Sequence, residues 1–346
     1  KIGQWSGGVV ENVLPNAQSL SLPEYTLPKI NFNNKTLDDW YSDLASEQGD
    51  FVVENTAEYV STAVATDSTN GTVFDRSLTV HGLKIVVAGA VGGQLAVPTV
   101  WAEKAGKVVQ LLTNPTDPQI NLTYQKRLIA TLKGEAGTYH AGLPSAQRVA
   151  YGGGDSYDPN FLSDTGAPQY AGYVDFLDTH AVNDMVWYKN TSGPDPSTSD
   201  RDIEEIIEHL FHTIHNFGVQ GAVPGSENQV VMDSDRRFDL DNSFDWTQTE
   251  LHLAMKEAIT AGKFDPSGYS TTYDTDPGAA AVAYKEYTYL LNWGMWSMSQ
   301  FWDGGSLAPE WADDMRTPEG IATNNPLGHA LFVKYFQPVL SKPNFT

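Results

Sequence analysis

Apolar side chains recur at helical spacing between residues 203 and 214. Ile203, Ile206, Ile207, Leu210, Phe211 and Ile214 fall on one stripe, which predicts an amphipathic helix around Glu204–His215. Its start is marked by Ser199, Asp200 and Asp202, whose oxygens can accept from free N–H groups. Its end is marked by Gly218, expected in the left-handed position after the last turn. Placing residues at roughly 100° intervals puts Glu205, Glu208, His209 and His212 together, opposite the stripe, with Glu204 and His215 at the flank.

The rest of the pattern is mixed. Residues 77–89 read as a strand, buried toward its end, and 182–188 as a second strand. Apolar spacing predicts helices over 98–113, stopped by Asn114-Pro115, and over 119–133, ended by Gly134. Further helices are expected over 247–261 and 279–302, the second so rich in Tyr, Trp and Leu that it reads as a buried core helix, with short helices following to Pro338. Residues 36–48 read as a short capped helix and 67–71 as a turn. Residues 1–35 read as an extended arm. The segments 135–172 and 219–246 read as long loops; His140 and Arg148 lie in the first. The expectation is an α+β protein. An α/β lobe with a small sheet covers 36–218 and ends in the Glu/His helix, and a mainly helical lobe covers 219–346. No linker separates them, so the chain is expected to form one continuous unit.

Composition narrows the chemistry. There are no cysteines, which excludes disulfides, thiolate metal sites, cysteine nucleophiles and iron–sulfur clusters. A metal must therefore be held by imidazole, carboxylate or carbonyl groups. The net charge of −22 repels nucleic acid and anionic membrane and favours cations, so no nucleic-acid partner is expected. No run of about 18 apolar residues is present, so no membrane span is expected. The chain begins at Lys1, which suggests processing, and an extracellular location is expected. Five N-x-Ser/Thr sequons begin at Asn34, Asn70, Asn121, Asn190 and Asn344.

Three of the eight histidines lie within seven residues, at 209, 212 and 215. Glu205/His209 and Glu208/His212 are each four apart, the spacing at which two side chains of one helix can hold one ion. A mixed Glu/His face is also what a solvated helix surface looks like, and both readings stand at this point. Glu286, inside the core helix, is a carboxylate that needs a partner. It is either a third ligand or a group bonded to Tyr or Trp. Asp233, Asp235, Asp239, Asp241 and Asp245 offer oxygens for Ca2+, but no D-x-D-x-D-G loop is present, and a solvated acidic loop is the alternative.

A His/Glu helix following strands and followed by a helix with a lone Glu resembles the zincin metallopeptidases over about 180–300. H-E-x-x-H itself is absent. Glu208-His209-Leu210-Phe211-His212 swaps its first two letters. Glu205-Ile206-Ile207-Glu208-His209 is similar to the inverted H-x-x-E-H, with Glu205 for the first His. The resemblance implies a two-lobed fold and a Zn2+ site. On the first arrangement Glu208 and His212 would bind and His209 would stand where the general base belongs. On the second, Glu205 and His209 would bind and Glu208 would be the base. Glu286 would be the third ligand in either. The chain as a whole also resembles acidic exported proteins of marine bacteria, some linked to calcium-binding secretion repeats, which implies export.

The leading expectation is a secreted, zinc-dependent hydrolase acting on a peptide or other small polymer. The alternative is a non-catalytic extracellular structural or adhesive protein whose Glu/His cluster holds a structural ion or none. A glycan-directed role has the aromatic residues for it but no identifying carboxylate pair. No G-x-S-x-G is present to support a serine hydrolase.

Overall fold

The computed structural model describes residues 65–66, 73–93, 95–135, 147–152, 182–188, 200–231, 244–301 and 306–344; for 65–66, 147–152, 182–188, 200–205 and 301 it describes the backbone. The arm over 1–35, the helix over 36–48, the turn over 67–71, most of the loop over 135–172 with His140, and Asp233, Asp235, Asp239 and Asp241 lie outside the described residues, as does the side chain of Arg148. The protein is mixed α and β, with a helix-rich C-terminal part. Among the described residues, two compact units form: one of 117–125 and 219–340, the other of 65–116, 126–218 and 341–344.

The second unit holds the sheet. Its strands are β1 (Ala65–Thr66), β2 (Phe74–Val80), β3 (Leu83–Ala88), β4 (Gln147–Gly152) and β5 (Val182–Tyr188), in that spatial order. β2 and β3 are antiparallel, whereas β4 and β5 run parallel to β3. The single strand expected over 77–89 is thus a hairpin. Its turn is His81-Gly82, with φ of 47° and 81°. Two successive positive φ angles match the right-handed twist of paired strands, and histidine is among the residues that tolerate them. Gly82 is required there twice over, because an added Cβ would stand 2.7 Å from the Ile129 carbonyl oxygen. β4 was not foreseen in the glycine-rich segment.

Helix α1 (Thr99–Leu112) follows β3, and α2 (Leu122–Lys133) ends at Gly134, where φ is 75°. α1 buries Trp101, Ala105, Val108, Val109 and Leu112. Helix α3 (Asp200–Ile214) packs on β5, β4 and α1, while α1 packs on β2 and β3, so both helices cover one face of the sheet.

The first unit is helical: α4 (Ser226–Gln229), α5 (Glu250–Thr260), α6 (Pro277–Met295), α7 (Pro318–Asn324) and α8 (Pro326–Leu331). α5 starts at Thr249, whose hydroxyl accepts from His252 N–H at 3.1 Å. α6 starts at Asp276, which accepts from Gly278 and Ala279, with Pro277 in the first turn. α6 is the core helix that the composition predicts, burying Tyr284, Tyr287, Leu290, Leu291 and Trp293. Tyr287 packs at a tilt against Phe264 and Trp311, ring centroids 5.6 and 6.1 Å away, and donates to Asn325 Oδ1 at 2.6 Å. That bond ties α6 to the start of α8. No helix among the described residues is long and apolar enough to cross a membrane.

Candidate metal centre

Helix α3 forms where the stripe predicts it, and Ile206, Ile207, Leu210, Phe211 and Ile214 are all buried. The opposite face departs from the solvated alternative. His212 is 1% exposed, and Glu208 and His209 are half-buried. Ion-bearing side chains are rarely buried without a partner that offsets their lost hydration. The rings of His209 and His212 meet edge to face, 5.6 Å apart at 75°.

Two details of the helix end correct the sequence reading. The chain does not stop in a left-handed glycine but continues as a π-turn over His215–Val219. Gly218 is absent from the positive-φ positions; it serves close packing, with an added Cβ at 3.0 Å from the Cγ atoms of both Leu128 and Leu132 on α2. His215, expected at the flank of the Glu/His patch, is fully buried with its ring 6.1 Å from Phe211, a member of the apolar stripe.

The expected residues fare differently. The side chains of Glu204 and Glu205 lie outside the described residues, so the Glu205/His209 arrangement has no geometry to report. Glu286, expected to be buried, is half-buried on α6. Glu208 and His212 lie one helical turn apart on α3, in the sheet-bearing unit, whereas Glu286 belongs to the helical unit. A carboxylate and a neutral imidazole on adjacent turns are donors that a divalent cation accepts.

Sequence reasoning passed over two polar clusters of the helical unit. One is the buried pair of Glu250 and Lys334 with Tyr335. The other joins His252 to Asp274 and Tyr284. Neither pair of elements has a local spacing that would have marked it. Comparisons of the chain with protein-family models, with curated proteins and with solved structures find no match.

Proposed function

We propose that the chain is an exported metal-dependent hydrolase of the peptidase type, with Glu208 and His212 among its metal ligands. The observation that carries this reading is the burial of His212 one helical turn from the half-buried Glu208 on α3. These are the two ligands of the Glu208-His209-x-x-His212 arrangement. A zinc ion held there would supply Lewis acidity to a scissile carbonyl and acidify a water. Glu208 would offset part of its charge, and the buried His212 ring would hold it against α3. His209, half-buried beside both helix ligands, is the group suited to hold the proton that water gives up. In the zincin-like reading this role belongs to a glutamate, so an imidazole base sets this chain apart.

The full chain, purified without chelator and supplied with Zn2+, is expected to bind one equivalent by elemental analysis and to cleave a mixed peptide library. H212A and E208Q are expected to lose the metal and the cleavage together, and H209A to keep the metal and lose the cleavage. A folded wild-type protein, checked by circular dichroism, that retains no stoichiometric metal would overturn the proposal. The burial of His212 also suits a structural ion; bound metal with no cleavage in any variant selects that reading.

A further inference from the structure

The second polar cluster lies wholly within the helical unit. His252 is 1% exposed, and both its ring nitrogens are engaged. Nε2 stands 2.9 Å from Asp274 Oδ1, and Nδ1 stands 2.8 Å from the Tyr284 hydroxyl. An ionised carboxylate only accepts. Nε2 therefore carries the ring proton, and Nδ1 accepts from Tyr284 O–H. The partners fix the tautomer.

These bonds fasten three pieces of chain: α5 through His252, the turn before α6 through Asp274, and α6 through Tyr284. Asp274 is 42% exposed, which connects the buried ring to solvent. Its two oxygens also take Lys256 Nζ, each at 2.9 Å. On the far side the Thr249 hydroxyl is the other hydrogen-bonding neighbour of Tyr284. Thr249 gives its own proton to the Trp246 carbonyl at 2.8 Å and accepts from His252 N–H, which leaves its oxygen one lone pair.

We propose that Thr249, Tyr284, His252 and Asp274 form an acid-sensitive latch, in which one proton added at His252 Nδ1 reverses the bond to Tyr284 and loosens α5 from α6. Two donors cannot face each other, so the Tyr284 proton must swing toward the free lone pair on Thr249. The new imidazolium lies in a buried position where Asp274 is its direct counter-ion, and Lys256 already occupies that carboxylate. Asp245 adds attraction from the turn before α5. Another titratable neighbour is Tyr273, whose ring lies 6.4 Å away. Burial, the largest influence, holds the His252 pKa below the usual histidine value; Asp274 and Asp245 oppose this, and Lys256 reinforces it. The sign follows. A folded-state value below the unfolded value of 6.5 means that the latch contributes fully above that pH and weakens as pH falls beneath it.

The test is long-range imidazole 1H–15N NMR of the full chain across pH 8 to 4, with thermal unfolding over the same range. The expected result is an Nε2–H tautomer that titrates below free histidine. Wild type is expected to lose more thermal stability on acidification than H252Q. In Y284F the neutral ring loses its donor, so the titration is expected to move up by about half to one pH unit. An Nδ1–H tautomer, an unmoved titration in Y284F, or equal acid sensitivity of wild type and H252Q would each overturn the latch. If H252Q does not fold, the Y284F titration alone decides.

Discussion

Lys334 Nζ stands 2.6 Å from Glu250 Oε1, and the two side chains are only 4% and 3% exposed. Tyr335 donates to the same oxygen at 3.1 Å, and its hydroxyl is pushed well above the usual phenol range by burial and by Glu250. A pair so enclosed has surrendered its hydration, and neither partner can be removed without stranding the other. K334M is expected to lose about 3–5 kcal/mol in chemical denaturation. The double variant E250L/K334M is expected to recover most of that loss. A K334M protein as stable as wild type would mean that water reaches the carboxylate in solution.

Metal binding should appear as stability. A ligand held only by the folded state, at a hundredfold excess over its Kd, adds about 2.7 kcal/mol. The wild-type thermal midpoint is therefore expected to rise with added Zn2+ and fall back with a chelator. H212A is expected to show no rise. Equal shifts in both proteins would place the binding elsewhere on this acidic surface.

His81 makes a pH prediction for the α/β unit. Thr113 donates its hydroxyl proton to the Val109 carbonyl at 2.6 Å, so toward His81 it can only accept, and His81 Nδ1 carries the ring proton. Complete burial holds the His81 pKa down at about 3, against 6.5 when unfolded. The neutral ring thus contributes stability that is full above pH 6.5 and is lost as pH falls toward 3. The limiting slope is about 1.4 kcal/mol per pH unit. H81N keeps a residue that tolerates the turn and is expected to flatten this slope. Unfolding followed by hydrogen exchange in β2 and β3 reads it; an unchanged slope refutes it.

Gly218→Ala tests the packing of the π-turn. A methyl group 3.0 Å from two leucine Cγ atoms requires Leu128 and Leu132 to give way by a few tenths of an ångström. The expected loss is about 1–3 kcal/mol. Had Gly218 been a left-handed helix stop, its φ would be positive and alanine would strain the backbone even with room around it. A stabilised variant would therefore argue against the close approach of the turn to α2.

What was legible from residues alone was local. The stripe from Ile206 to Ile214 announces α3 because one helical turn is short enough to be written in neighbouring letters. The helix expected from 279 instead starts at Pro277 behind the Asp276 cap, because the aromatic run that marked it begins inside the helix. The hairpin at His81-Gly82 was missed because its flanks are continuous apolar β-formers and the turn is only two residues long. β4 was missed inside a stretch whose glycines read as loop. Gly218 was misplaced because a glycine after a helix has two uses, backbone freedom and close packing, and only the packing partners on α2 distinguish them.

The sequence by itself determined the heptad-like stripe of α3, the four-residue spacing of Glu208 and His212, and, through the absence of cysteine, a metal chemistry limited to oxygen and nitrogen donors. Tertiary structure alone decided that His212 and His215 are buried and that His252 joins Asp274 to Tyr284. The reason is physical. Helical periodicity fixes which side chains share a face, but what that face meets depends on contacts between residues far apart along the chain, and no local spacing encodes them.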